Sequence, residues 1–465
     1  MSAQNARQAA NKAKRRQPPP AENKKPIPGL AARQRAADLV FGVLVEGEAL
    51  DGAFQGKLSA DDHAAADRAL TQALVLTTLR RLPTLDHAIN ACLDKPLHAS
   101  AAKAMAILRV MAAQLLVLDM ADHAAVTLAV EDAARRKDAR KLKGLINAVG
   151  RRMVREKDTL LAGTPASDLP VWLTERWTRT YGTETVQRIA GAMRYQPAID
   201  LTLKPDADIN KWLEAFADHD PVALNDRSIR LTKPGGIERL PGYYDGVWWV
   251  QDIAATLPAR ILLETLAKPG EARVLDLCAA PGGKTAQLAS AGCKVTSVDQ
   301  SAPRMKRLAS NMTRLQLTAD TQVADALAYT ANKPFDAVLL DAPCSATGTL
   351  RRNPDIGYLR QEGDVRALAK LQADLLTHAA TLVTPGGVLV FATCSLEPEE
   401  GEAQIKRFLR NHEGWALVPV DPNLAPPDSV QRDETLRTLP HMAANADGSA
   451  NGMDGFFAAC LRAPH

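Results

Sequence analysis

Beginning at Ala272, short apolar runs alternate with turns of small or polar residues and with stretches of helical composition. The runs at 274–277, 295–299, 335–341 and 388–393 predict strands, the last launched by the turn Pro385-Gly386-Gly387, and helices are predicted from about Thr285 and through 304–314. Strands separated by helices dictate a doubly wound, mostly parallel α/β sheet with right-handed crossovers. Sheets of this kind bind ligands outside the carboxyl ends of their strands. The chemically informative residues all fall at those ends: 276–284, Asp299, Asp325, 341–345 and 393–395. One site is therefore expected.

The rest of the chain is organised differently. With 465 residues it exceeds one ordinary core, so two or three domains are expected. From about Pro28 to Lys157 it reads as all helix, rich in alanine, with Leu108, Met111, Leu115 and Leu118 at one-face helical spacing and Pro83 and Pro96 at helix boundaries. Between Arg135 and Lys157 lie ten Lys or Arg against two acids. Such a run is either a solvated helical face or a contact for phosphates. The first 25 residues, with seven Lys or Arg against one Glu, form a companion basic arm that favours RNA. The division expected is a basic arm over 1–27, a helical domain over 28–160, a connecting subdomain over 161–240 and a catalytic domain over 241–465. No apolar run is read as reaching the roughly 18 residues of a membrane span. Six cysteines without zinc-ligand spacing exclude a disulfide framework and point to a reducing cytoplasm, where a special cysteine is special as a thiolate.

The turn after the first strand reads Cys278, Ala279, Ala280, Pro281, Gly282, Gly283, Lys284. Adjacent glycines let the backbone approach a ligand, and the alanines keep the loop walls low. The pattern is not G-x-G-x-x-G, which makes hydride chemistry a minor alternative. Asp299, ending the second strand, can accept from both hydroxyls of a ribose. Asp325 is placed either to contact an adenine amino group or to cap a helix. Lys284 can meet a cofactor carboxylate, meet the substrate, or cover the surface.

Two cysteines, Cys344 and Cys394, stand at the ligand ends of strands expected to be neighbours. Either alone reads as a buried structural residue. Together they suit methylation at carbon 5 of cytosine, a poor nucleophile until a thiolate adds to carbon 6 and makes it enamine-like. Asp341 can then accept from the exocyclic amine or share a proton with N3. A second thiol can assist when the carbon-5 proton leaves and the thiolate is expelled. Which cysteine attacks is not decided by this chemistry.

The loop 275–284, the block 341–348 and Ala392-Thr393-Cys394-Ser395-Leu396 resemble the signature blocks of the NOL/NOP/Sun family of RNA cytosine-5 methyltransferases. Further points of resemblance are Arg351-Arg352-Asn353-Pro354-Asp355-Ile356, Asp454-Gly455-Phe456-Phe457, Leu240-Pro241-Gly242 and Val250-Gln251-Asp252. The helical part, with Lys143-Gly144-Leu145-Ile146-Asn147-Ala148-Val149, is similar to NusB-type RNA-binding domains. The resemblance implies a Rossmann-like class I methyltransferase domain preceded by an all-α NusB-like domain, with the basic first 27 residues outside the family core. It implies S-adenosyl-L-methionine held by Cys278 through Lys284, Asp299, Asp325 and Asp341, with Cys394 as nucleophile and Cys344 aiding release. It also implies a monomer without metal or membrane, acting on 16S rRNA that is free or in early assembly. The competing expectations are the same chemistry on tRNA or another rRNA site, a DNA methyltransferase, and an RNA-binding assembly factor with an inert methyltransferase fold.

Overall fold

The computed structural model describes residues 27–50, 54, 65–165, 167–427, 429–431, 433–443 and 452–465. The basic arm therefore lies, but for Ile27, outside the described residues. Helices α1 (Leu30–Phe41), α2 (Ala65–Arg80), α3 (Leu82–Ala91), α4 (Ala102–Leu116), α5 (Asp122–Arg135), α6 (Lys143–Arg155) and α7 (Lys157–Ala162) share one core. Leu108, Met111 and Leu115 of α4 lie at its centre, as their spacing requires. One stretch corrects the sequence reading: Ala99–Leu116 has the length and apolarity of a membrane span. It is a core helix, with 61% of the stretch buried inside the protein.

Two helices, α8 (Val171–Tyr181) and α9 (Thr183–Met193), follow, and then a small antiparallel sheet in the order β2-β3-β1-β4. Its strands are β1 (Ile199–Leu203), β2 (Pro221–Ala223), β3 (Ser228–Leu231) and β4 (Trp248–Val250), with helix α10 (Ile209–Ala215) between β1 and β2. The sheet thus runs past residue 240, because β4 pairs with β1 through Leu201 and Val250. Within it Arg230 grips Asp200 with two bonds of 2.7 and 2.8 Å, both side chains all but fully buried.

The large sheet has the order β10-β12-β9-β8-β5-β6-β7, with β11 on β12. Strands β5 (Arg273–Leu277), β6 (Lys294–Asp299), β7 (Asp320–Val323), β8 (Phe335–Asp341) and β9 (Val383–Thr393) are parallel. Strand β12 (Phe456–Arg462) runs antiparallel to β9 and pairs with β10 (Ala416–Val418) and β11 (Leu436–Thr438). Helices α11 (Ile253–Glu264), α12 (Gly283–Ser290), α13 (Ala302–Leu315), α14 (Ile356–Leu359), α15 (Glu362–Ala380) and α16 (Glu402–Asn411) complete the unit. The expected turn at Pro385-Gly386-Gly387 lies inside β9 rather than before it. Phe335 pairs with Val383 and Ala337 with Val388, so the turn is looped out as an irregularity. The strand order reverses between β5 and β8, which opens the crevice where such sheets hold ligands.

The segment 350–360 fastens the catalytic unit to the helical one. Arg80 donates to the Arg351 carbonyl at 3.0 Å, the Leu50 amide to Asp355 at 3.1 Å, and the Tyr358 hydroxyl to the Leu79 carbonyl at 3.0 Å. Inside β5, Asp276 is fully buried, with one oxygen accepting from Thr285 at 2.6 Å and the other without a partner among the described residues. Burial pushes its carboxyl up to about 7.

Two stability predictions follow from these buried charges. Arg230→Met strands Asp200 without its partner and costs about 3–5 kcal/mol in urea denaturation, most of which Asp200→Asn in the same chain restores. Asp276, its acid form favoured by the fold, stabilises below its ordinary carboxyl range and loses that contribution as pH rises towards 7. Asp276→Asn therefore gains melting temperature relative to the parent as pH is raised from 4 to 8; a pH-independent difference contradicts the assignment.

Candidate active site

The carboxyl end of β5 turns through Cys278, which adopts a left-handed φ of 59°, into Ala279, Ala280 and Pro281. Gly282 has φ 103°, and a Cβ there would lie 2.7 Å from Leu308 Cγ, so only glycine fits the turn. The first amides of α12 follow without intrahelical partners, a ready anchor for a carboxylate. A cleft of about 790 Å³ opens here, lined among others by Ala279, Ala280, Pro281, Gly282, Gly283, Lys284, Asp341 and Cys394. Its size is that of a small-molecule pocket.

Lys284 is buried and its ammonium lies 2.7 Å from Asp341 and 4.9 Å from the centre of the Phe456 ring. Of the three roles open to it, covering the surface is excluded. Asp299, also buried, accepts from the Ser301 amide at 2.9 Å and the Ala280 amide at 3.2 Å. Arg304 reaches its second oxygen at 3.2 Å and also donates to the Ala280 carbonyl. Asp299 thereby fixes the β5 loop against the end of β6. Asp325 is exposed, caps a turn by accepting from the Leu327 amide at 3.0 Å, and is not a lining residue of the cleft. The adjacent Ala324 amide donates to the Asp299 carbonyl, which sets Asp325 beside the end of β6. Cys278 is half-buried; burial, followed by the neighbouring Asp341 and Asp299 charges, pushes its thiol up to about 12.

The sulfur atoms of Cys344 and Cys394 are 3.5 Å apart. Adjacent parallel strands explain this: Asp341 of β8 pairs with Ala392 of β9, and the two loops leave side by side. Cys394 lines the cleft and Cys344 is not among its lining residues. The hydrogen bond to Cys394, and then burial, push the Cys344 thiol well above its ordinary value and favour its protonated form.

Residues with no assigned role in the sequence hold this pair. Glu400 accepts from the Ser345 amide at 2.9 Å, from Ser395 Oγ at 2.5 Å and from the Ser345 hydroxyl. Gly348 donates to the Cys394 carbonyl at 3.0 Å, and its Cβ would lie 1.9 Å from the Gly455 carbonyl oxygen. Helix α8 supports the Cys394 loop, with Arg176 and Trp177 on Glu397 at 2.7 and 2.9 Å and the Tyr181 hydroxyl on the Leu396 carbonyl. The run Glu397-Pro398-Glu399-Glu400 carries too many charges to read as buried, and nothing local in it announces two interior carboxylates.

Comparison with known proteins agrees with this architecture. Residues 263–462 match the family described as 16S rRNA methyltransferase RsmB/F, and residues 30–155 match the NusB family. The ribosomal RNA small subunit methyltransferase B of Cronobacter sakazakii is 34% identical over 446 residues, covering 92% of this chain and 98% of that protein. Its counterpart in Escherichia coli strain SMS-3-5 is 36% identical over 395 residues, covering 81% and 90%. The crystal structure of PH0851 shares the fold with a TM-score of 0.69 at 24% identity, covering 94% of this chain and 99% of that one. NSun6 from Pyrococcus horikoshii, solved with SFG, shares it with a TM-score of 0.54 at 19% identity, covering 63% and 98%. With two curated relatives above a third identical or close to it over most of its length, and both of its units matched, the chain belongs to the RsmB/F family of 16S rRNA methyltransferases, its catalytic sheet preceded by a NusB-family helical unit.

Proposed function

We propose that this protein forms 5-methylcytosine in 16S rRNA with S-adenosylmethionine as methyl donor, Cys394 adding covalently to carbon 6 of the target base. The observation that carries the reading is the position of Cys394: it lines the same cleft as the 279–284 turn and Asp341, with Cys344 3.5 Å away. The turn fits the donor by its bare glycine backbone and the helix start that follows it, while buried Asp299, which is not a lining residue of the cleft, holds the turn in place from behind. Bound there, S-adenosylmethionine supplies an electrophilic methyl group.

The protein's own residues do the rest. Cys394 adds to carbon 6 and turns carbon 5 into the nucleophile. Asp341, held at 2.7 Å by Lys284, accepts from the exocyclic amine and orients the ring. Once carbon 5 is methylated its proton passes to solvent, the C5–H pair re-forms the C5–C6 double bond, the carbon–sulfur bond breaks, and Cys394 departs as a thiolate. The protonated Cys344 is placed to hydrogen-bond that departing sulfur.

The helical unit supports an RNA substrate. Of its basic run, Arg135, Arg136, Arg152, Arg155 and Lys157 pair with acids. Lys137, Arg140, Lys141, Lys143 and Arg151 are exposed and have no ion-pair partner among the described residues. They form a surface for phosphates.

Incubation with 16S rRNA and methyl-labelled donor tests the cysteine roles. Cys394→Ala abolishes transfer, and Cys344→Ala accumulates a protein–RNA adduct that survives denaturation; native-rate transfer by Cys394→Ala overturns the reading. Replacing Arg140, Lys141 and Lys143 by serine makes the slope of log affinity against log salt shallower by roughly 2 to 3, measured by filter binding. An unchanged slope removes this face from the RNA path.

A further inference from the structure

The function proposed above leaves one charge unaccounted for. When Cys394 adds to carbon 6, the C5–C6 π pair moves to C4–C5. The C4–N3 π pair moves onto N3, shared with the carbon-2 oxygen. It returns when carbon 5 takes up the methyl group. Asp341, ion-paired with Lys284, is engaged at the exocyclic amine and N3 and brings no positive charge to the carbon-2 oxygen. A cation must face the carbon-2 oxygen, at the other end of the edge that Asp341 contacts.

The cations lining the cleft, Lys284, Arg304, Arg314, Arg352 and Arg360, differ in how they are held, and Arg360 has no anchoring side-chain partner among the described residues, so its guanidinium is not fixed in place. Lys284 is committed to Asp341 at 2.7 Å. Arg304 spans Asp299 and the Ala280 carbonyl, and Arg314 holds the Tyr243 and Trp248 carbonyls at 2.8 and 3.2 Å. Arg352 is anchored side-on. Its Nε lies 2.9 and 3.2 Å from the two Asp454 oxygens and its Nη2 bonds the same carboxylate, while Nη1 has no partner among the described residues. Asp454 is fully buried, whereas the Arg352 side chain is 44% exposed and lines the cleft with Cys394. The anchor is itself fixed, since the Asp454 amide donates to Asp252 at 3.0 Å and Asp252 pairs with buried Arg351 at 2.8 Å. The result is a rigid ion pair with its positive end on the cleft and one donor group unused, the arrangement that stabilises developing charge without reorganisation.

We propose that Arg352 is a further catalytic residue of this reaction, its Nη1 donating to the carbon-2 oxygen of the target cytosine and stabilising the charge created by Cys394 addition. This rests on the cysteine mechanism above, and the experiment separates the two. The full-length protein is given 16S rRNA tritiated at cytosine carbon 5, and tritium release is followed in a single turnover at saturating RNA and donor. RNA affinity is measured by filter binding without donor.

Arg352→Met slows release by about 100-fold or more, the scale of losing one oxyanion donor, with RNA affinity within about twofold of the parent, and Arg352→Lys recovers part of the rate. Arg352→Met removes the nearer of the two arginines of Asp454 and leaves only Arg351 at 3.7 Å, so Arg352→Met with Asp454→Asn, checked for a parental melting temperature, shows the same loss. A folded double variant releasing tritium at the parental rate overturns the proposal. So does an Arg352→Met defect confined to RNA affinity and abolished by saturating RNA. Cys394→Ala is run alongside: if it still turns over, the covalent mechanism fails; if it is inactive while Arg352→Met is unimpaired, only the role of Arg352 fails.

Discussion

The buried carboxylate of Glu400 ties together the parts from which the site is built. Its oxygens accept from the Ser345 amide and hydroxyl, from Ser395 Oγ, and from Gln372 of α15 at 3.0 Å. Ser345 and Ser395 each follow a cysteine, so one side chain fixes the loop after β8 against the loop after β9. Burial alone pushes such a carboxyl up and disfavours its charge. Charge-assisted donors offset that cost, and all of them come from the elements whose relative position matters. The 3.5 Å separation of the sulfurs is thus a consequence of strand adjacency made rigid by a hydrogen-bonded hub. The Thr393 hydroxyl closes the hub from the strand side, donating to the Glu400 carbonyl at 3.0 Å.

The same device recurs behind the cleft. Asp200, Asp252 and Asp454 are interior and are answered by Arg230, Arg351 and Arg352. Each pair joins segments distant in sequence: Arg352 and Asp454 are 102 residues apart, Arg351 and Asp252 are 99. Apolar packing holds the layers of this protein together but is indifferent to small sliding. Buried ion pairs have high directional demands and large penalties for a missing partner. They set the small sheet, α11 and the closing strand β12 in one register around the cleft. Segment 350–360 carries that register outward, since its far end is packed against the helical unit through Tyr358 and Leu359.

What was legible in the sequence follows from locality. The parallel strands announced themselves because strands buried on both faces read as continuous apolar runs. The glycine turn and the two cysteines announced themselves because strand ends place residues at one crevice whatever the details. The helical unit was legible from the spacing of Leu108, Met111 and Leu115. The small sheet was not. Its strands are short, β2 opens with a proline, and two of its interior positions are Asp200 and Arg230, which break the apolar pattern that marks a buried strand. Glu397 and Glu400 were missed for a related reason. Acidic runs are ordinarily solvated, and their burial depends on donors from α8, α15 and the Cys344 loop that no local window contains. Lys284 was read without its partner because Asp341 lies 57 residues downstream. The turn at 385–387 misled in the opposite direction: its local signal was correct, but parallel β8 pairs before and after it, antiparallel β12 pairs after it, and the turn is absorbed into β9.

Two thiols so close need not be equivalent, and the asymmetry between them has a physical origin. Both lie at the ends of neighbouring strands, and strand geometry alone allows either to attack. The surroundings differ. Cys394 borders the cleft, whereas Cys344 is backed by the Ser345–Glu400 hub. The hydrogen bond to Cys394 and then burial disfavour a negative charge on Cys344, with the Cys394 and Glu400 charges acting in the same direction. A thiol held protonated beside another sulfur is a poor nucleophile and a good hydrogen-bond donor to that sulfur. In the proposed mechanism this asymmetry matches the division of labour, the cleft-lining sulfur attacking and its neighbour hydrogen-bonding to it on departure.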